Sequence, residues 1–354
     1  MAKKKNASAV PEPKEERAKY IADRDKRMLA QLEHVNKTMG KAAVRAITEA
    51  YTPTPCHGTG ISKLDKALNG GVPKGRITEM FGNEGGGKTT LSINIAKQAQ
   101  QAGGIVHFID AEHKFDESIL DVIGIDRAAF QMAVPDTSEK VWNGLSLWLD
   151  RAGPEDLAIV DSLAMMRPQQ EINKGMAQLE GYGGDRAKIN AMGINQIKGK
   201  VHGSGGTVLI INQIRHKMGI SYGNPETTPG GDELKFGAAL RLRITSGGGI
   251  KEGDDRLGHI CNIRATKCNH ARPYQDVHIP LIYGVGFQED EALELFEKAL
   301  EMRIIWRETE KSTKYMYGDN FVIKGRKNFL AELRTNIELK KWFENAITQV
   351  SSAN

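Results

Sequence analysis

The sequence predicts an α/β protein built on a largely parallel sheet, and three observations predict it. Strand-like and helix-like segments alternate several times after Gly75. The segments Leu157-Ala158-Ile159-Val160 and Val208-Leu209-Ile210-Ile211 are apolar at every position, as in strands covered on both faces. A glycine-rich run from Gly82 to Thr90 stands where a strand pattern gives way to a helix pattern, the kind of junction that holds phosphate groups.

In chain order, Lys3–Glu16 is rich in Lys, Glu, Ala and Pro with few large apolar groups, so residues 1–19 are expected to form a disordered basic tail. Met28, Leu29, Leu32, Val35, Met39, Val44 and Ile47 then recur at helical spacing, interrupted near Gly40. This predicts an amphipathic arm over residues 20–55, broken by Pro53 and Pro55. A connector with a short helix at Leu64–Leu68 leads into the core, residues 56–287. There the expected strands are 76–81, 104–110, 157–161 and 207–212, with helices over 88–101, 137–151 and 185–201. Further strands are expected at 240–244, 260–265 and 276–282. Residues 290–350 carry helical spacing, so 288–354 are expected to form a small separate lobe.

Bulk properties narrow the function classes. The chain has 354 residues, 40% hydrophobic and 26% charged, which suits a globular protein with one large domain. No apolar run approaches the roughly 20 residues that span a bilayer, and no signal-peptide pattern follows Met1, so a cytoplasmic protein without membrane contact is expected. Three cysteines without metal-ligand spacing are expected to be reduced thiols, with no zinc site. The net charge of +5 resides in residues 1–50, which hold 12 basic and 7 acidic side chains. Such a segment could meet phosphates electrostatically, or it could be a solvated helix face.

Gly82-Asn83-Glu84-Gly85-Gly86-Gly87-Lys88-Thr89, followed by Thr90, satisfies G-x-x-x-x-G-K-[ST] in the right context. Its glycines let successive N–H groups turn toward one anion, and the following helix points its positive end there. ATP is the expected ligand, with Lys88 reaching the β- and γ-phosphates and Thr89 holding Mg2+. Asp161, at the end of an apolar strand, is expected to support the same ion. Another strand ends in Asp110-Ala111-Glu112, and a carboxylate there can orient or deprotonate the attacking water. Spacing leaves Asp110 and Glu112 undecided.

Several segments together resemble the RecA family of bacterial strand-exchange proteins. They are Gly82–Thr90, Phe108-Ile109-Asp110-Ala111-Glu112-His113, Ile159-Val160-Asp161-Ser162 and Ile211-Asn212-Gln213-Ile214-Arg215, with the run Gly223–Thr228 continuing through Gly230-Gly231 to Leu234-Lys235-Phe236. The similarity runs in order from about Leu29 to Gly286. It implies a RecA-type ATPase core with an amino-terminal oligomerisation arm and a carboxy-terminal α+β lobe. It implies a DNA-dependent ATPase that forms a helical homo-oligomeric filament on single-stranded DNA and pairs it with homologous duplex DNA in recombination and repair. Single-strand-binding and mediator proteins are further implied partners.

Carried over by position, the resemblance makes Glu112 the water-activating carboxylate, Asp161 the Mg2+ residue and Gln213 the γ-phosphate sensor. It puts Asp116 and Tyr283 beside the adenine, where Ile119 replaces the family's usual tyrosine. It makes Met165–Gly184 and Ile214–Gly231 the DNA loops, both glycine-rich and long for simple connections. Arg186, Lys188, Arg215 and Lys217 would meet the sugar-phosphate chain, and Met218, Ile220 and Tyr222 would wedge between or stack on bases. Of two family lysines that reach a neighbour's ATP, Lys267 is kept and Asn269 replaces the other. The chain ends at Ser351-Ser352-Ala353-Asn354 without the family's usual acidic tail, compatible with a divergent or bacteriophage-encoded member.

Overall fold

A computed structural model describes residues 14–39, 53–173, 183–216, 226–307, 309, 312–318 and 321–352. Helix α1 (Lys14–Met39) belongs to a unit of its own, residues 1–53, and is described alone. It begins inside the segment expected to be a tail, because Lys14-Glu15-Glu16-Arg17-Ala18 are good helix formers once Pro13 is passed. Residues 1–13 and 40–52, which carry the rest of the expected tail and arm, lie outside the described residues.

The second unit, residues 54–354, opens with β1 (Cys56–His57), α2 (Ser62–Ala67) and β2 (Val72–Pro73). The alternating part follows: β3 (Ile77–Gly82), α3 (Lys88–Gln101), β4 (Val106–Asp110), α4 (Ser118–Ile123), β5 (Phe130–Ala133), α5 (Ser138–Leu149) and β6 (Leu157–Asp161). Next come α6 (Gln169–Asn173), α7 (Gly183–Ser204), β7 (Thr207–Gln213), the short pair β8 (Arg215–His216) and β9 (Glu226–Thr227), and α8 (Gly231–Gly237). An antiparallel meander closes the core: β10 (Leu240–Glu252), β11 (Asp255–Cys268), β12 (Asp276–Ile282) and β13 (Gly286–Phe287).

Nine of these strands form one sheet in the order β13-β12-β11-β10-β3-β7-β6-β4-β5. From β10 to β5 every neighbouring pair is parallel, and β10 to β13 pair antiparallel. The unalternating strands are explained by two cores, one on each face. Ile159, Leu209 and Ile211 pack with Leu91 and Ile95 of α3 on one side. Ala158, Val160, Val208 and Ile210 pack with Trp142 of α5 and Ile194 of α7 on the other. Strand β5 was not expected from the sequence. It is a four-residue edge strand with two exposed positions, so it carries no apolar signature.

The remaining elements are α9 (Glu291–Glu301), β14 (Ile305–Trp306), β15 (Lys314–Tyr317), β16 (Phe321–Lys324), α10 (Arg326–Thr335) and α11 (Ile337–Ser352). They surround a third core containing Phe296, Tyr315, Phe329 and Phe343. The helical spacing is realised in α9, α10 and α11, and a three-stranded antiparallel sheet accompanies them. Among the described residues no helix is long and apolar enough to cross a membrane.

Helices α5 and α7 approach closely at Gly193, where a Cβ would lie 2.2 Å from the Trp142 ring. Trp142 is held in place by a 3.1 Å bond from its Nε1 to Asn190 Oδ1. Gly193→Ala should therefore lower the urea midpoint by the equivalent of about 1–3 kcal/mol of overpacking. A more stable variant, as helix propensity alone would give, would show that the two helices can separate without cost.

Candidate nucleotide and DNA site

The site lies at the carboxyl ends of the parallel strands, where α/β sheets place their ligands. Gly82 ends β3 with a Cβ position only 1.7 Å from the Ile244 carbonyl oxygen of β10, so no side chain fits there. Gly87 has φ of 97° and starts α3 in the left-handed conformation that glycine adopts without strain. The 14-residue helix then points its amino terminus, with its unpaired N–H groups, into a cavity of about 600 Å³. Glu84 to Thr90 line the cavity, facing Asp116 and Ile119 on one wall and Tyr283 on another.

Lys88 is buried, and its ammonium donates to the Gly82 and Asn83 carbonyls at 3.2 and 2.6 Å. Burial lowers its pKa, opposed by the charges of Asp161, Glu112 and Glu84. Thr89 Oγ1 donates to Asp161 Oδ2 at 2.6 Å, which puts two hard oxygen donors side by side at the mouth of the loop. That pair fits a magnesium ion, which prefers oxygen and takes few protein ligands. Burial pushes the Asp161 carboxyl up to about 6, with the Thr89 bond opposing and the Glu112 charge adding to the rise.

The two carboxylates that spacing could not separate have different surroundings. Asp110 is buried and accepts from the backbone N–H groups of Glu112 and Phe115, each at 3.0 Å. It is committed to shaping the turn after β4. Glu112 faces the crevice, and its Oε1 accepts from Gln213 Nε2 at 3.0 Å and from the Ser162 hydroxyl. Glu112 therefore joins the residues that end β4, β6 and β7. Ser162 was not singled out as a site residue from the sequence. Its signal was adjacency to Asp161 at a strand end.

Of the residues expected beside the adenine, Asp116 accepts at Oδ1 from Ser118 N at 2.9 Å, which holds its carboxyl below the usual range. Tyr283 is exposed, with its hydroxyl 3.4 Å from His259 Nδ1.

The expected DNA residues are only partly within the described structure. Lys217, Met218, Ile220 and Tyr222 lie outside it, as do residues 174–182 of the first loop. The described ends of that loop include α6 and the first turn of α7. Arg186 Nε donates to Glu171 Oε2 at 2.6 Å, and Arg167 meets the same buried carboxylate at 3.0 Å. Lys188 is exposed on α7. The second loop is held at its base: Arg215 pairs with Thr227, Arg243 bonds Glu226 at 2.7 Å, and Asn212 Nδ2 donates to Pro229 O at 2.9 Å. Arg215 is exposed beside this base, two residues beyond Gln213.

Lys267 is not at the crevice of its own chain. Its ammonium donates to the carbonyls of Lys235 and Phe236, at 3.0 and 2.9 Å, at the end of α8. Asn269 donates its backbone N–H to Ala239 O at 3.1 Å.

Fold and site together define a phosphate-loop protein with a mostly parallel sheet. The family model for the RecA N-terminal domain matches residues 26–288. Protein RecA of Aquifex pyrophilus is 34% identical over 94% of this chain and 93% of its own length. Protein RecA of Aquifex aeolicus is 35% identical over 90% and 91%, and that of Chloroherpeton thalassium 36% over 86% and 83%. The chain belongs to the RecA family, whose function is strand exchange in recombination and repair. Members in general are DNA-dependent ATPases that use nucleotide with Mg2+ and form filaments on DNA.

The raised Asp161 pKa has a sign that can be checked in the nucleotide-free protein. A carboxyl more easily protonated when folded favours the folded state at low pH, and stability is lost as pH rises from about 4 through about 6. Asp161→Asn removes that loss, so it should stabilise the protein by about 3 kcal/mol at pH 8 and not at pH 4. A gain of equal size at both pH values, or a loss at pH 8, would contradict the assignment.

Proposed function

We propose that this chain is a recombinase that hydrolyses ATP at the Gly82–Thr90 loop and couples the bound nucleotide to its grip on single-stranded DNA. The observation that carries the reading is the bond between Gln213 Nε2 and Glu112 Oε1. It supports the reading because an amide able to bond a γ-phosphate and a carboxylate able to activate water are within hydrogen-bond reach, two residues before the second glycine-rich loop's Arg215.

Lys88 leaves its loop carbonyls to meet the β- and γ-phosphates, and the anions restore the charge balance that burial disturbs. Thr89 and Asp161 hold Mg2+, which offsets charge on the phosphate oxygens. Glu112 takes the proton of the attacking water, with Ser162 fixing one oxygen and leaving the other to accept it. When Gln213 turns to a γ-phosphate it leaves Glu112 and pulls on the segment that begins at Ile214. Asp116 and Tyr283 flank the base. Arg215 and Lys217 pair with phosphates, Met218, Ile220 and Tyr222 contact bases, and Arg186 and Lys188 add charge from α7. Homology is read by base pairing, so binding is independent of sequence.

Lys267 would act on the ATP of the neighbouring protomer, since its own crevice is elsewhere, and stacked protomers in a head-to-tail filament would complete each other's sites. The arm over residues 20–55 would supply the contact that propagates the filament. Single-strand-binding and mediator proteins would act on that filament, in the cytoplasm.

Two experiments test this. Glu112→Gln should bind ATP and DNA normally and lose roughly 10² to 10⁴ in turnover. Asp110→Asn should instead destabilise the turn, lowering stability and ATP affinity together. If Asp110→Asn alone abolished turnover in a fully folded protein, the base would be Asp110. The second experiment mixes protomers on single-stranded DNA. Lys267→Ala protomers keep a good ATP site, and Glu112→Gln protomers still present Lys267, so mixed filaments should exceed the sum of the separate activities. Simple additivity, with DNA binding intact in both, would show that Lys267 does not act across the interface.

A further inference from the structure

All three cysteines are free thiols, and two of them meet one histidine away from the nucleotide site. Cys268 Sγ lies 3.5 Å from His270 Nδ1, and Cys56, whose Sγ donates to Thr54 O at 3.3 Å, is near enough to the same imidazole to raise its pKa. His270 Nε2 faces the Gly71 carbonyl at 3.1 Å. A carbonyl can only accept, so Nε2 carries a proton, and Nδ1 is left to take the proton of the Cys268 thiol. The backbone N–H groups of His270 and Ala271 help lower the pKa of this thiol. The adjoining cavity is lined by His270 with Lys63, Lys66 and Arg272, facing Asp276 and Glu297, and Lys66 also pairs with Glu301 at 3.7 Å. Cys56 and Cys268 are both partly exposed.

We propose that Cys268 and Cys56 form a hydroperoxide-reactive dithiol, with His270 as the base that activates Cys268. The Cys268 sulfur attacks one peroxide oxygen and the O–O bond breaks, releasing water and leaving a sulfenic acid. The Cys56 sulfur then attacks the sulfenyl sulfur and a second water leaves, carrying the hydroxyl and the Cys56 proton. Overall two thiols are oxidised to one disulfide and one hydrogen peroxide is reduced to two waters. A thiol reductant reverses the reaction by exchange.

Burial raises the Cys268 pKa, but the bonds and charge of His270 more than offset it and the net direction is down. His270 is pushed up to about 10, chiefly by its bond to Cys268 and then by Cys56. Cys261 is the internal control. It is fully buried, donates to Gly86 O at 3.2 Å, and its thiol is pushed up to about 12 by burial. The disulfide would tie the first strand of the core to the end of β11, next to Lys267. Any effect on DNA-stimulated turnover rests on the reading of Lys267 above, so the test is read from the sulfurs alone.

The full chain is treated with hydrogen peroxide at pH 7 and analysed by intact mass and peptide mapping. The expected product has lost two hydrogens, links Cys56 to Cys268, leaves Cys261 free and reverts with dithiothreitol. Cys56→Ser should stop at a sulfenic acid on Cys268, captured by a 1,3-dione. His270→Asn should slow the first step by about tenfold or more, the effect of one unit of thiol pKa. In the unaltered protein, Cys268 alkylation by iodoacetamide should level off below the ordinary thiol range, a readout that needs no variant. Preferential reaction of Cys261, or an alkylation profile for Cys268 in the ordinary range, would overturn the activation. A sulfenic acid on Cys268 persisting in the unaltered protein, with Cys56 free, would overturn the pairing.

Discussion

One carboxylate oxygen, Glu112 Oε1, joins the ends of three neighbouring strands. It accepts from Ser162, just past β6, and from Gln213, the last residue of β7, while Glu112 itself follows β4. The parallel register makes this possible, since β4, β6 and β7 are adjacent and all point their carboxyl ends to the same crevice. Any group that draws Gln213 away must change both the hydrogen bonding of Glu112 and the position of the chain that follows Gln213. The glycine-rich loop's crevice and the segment that begins at Ile214 are therefore adjacent by construction of the sheet.

Burial leaves this crevice with charges out of balance. It raises Asp161, with the Glu112 charge adding to the rise, and it lowers Lys88 against the opposing charges of Asp161, Glu112 and Glu84. A magnesium ion beside Thr89 and Asp161 would relieve the first, and phosphate anions beside Lys88 would relieve the second. Neither alone would do so, because the cation leaves Lys88 buried without anions and the anions add negative charge beside three carboxylates. Two glycines shape the loop: Gly82 permits the close approach of β10, and Gly87 permits the turn into α3.

Much of this was legible in the sequence. Helix α3, β6 and β12 fall on their expected residues, because apolar runs bounded by glycine and acidic residues leave little freedom in where a strand or helix starts. Strands β10 and β11 extend well past the apolar segments that announced them, since a hairpin continues by backbone pairing even where Ser246 to Gly249 offer no apolar pattern. Spacing did not separate Asp110 from Glu112, and only the family resemblance did, because their difference depends on which carboxylate the backbone of residues 112–115 consumes. The partners of Arg186 and Arg243 were hidden for a similar reason: Glu171 and Glu226 lie well away in sequence and are brought near by the loops.

The proposed coupling of Gln213 to the DNA loop is tested by measuring affinity for single-stranded DNA with and without a non-hydrolysable ATP analogue, in the unaltered chain and in Gln213→Ala. Both proteins should bind the analogue, which should tighten DNA binding in the unaltered chain and leave it unchanged in Gln213→Ala. A ratio of DNA affinities in Gln213→Ala equal to that of the unaltered chain would contradict the coupling.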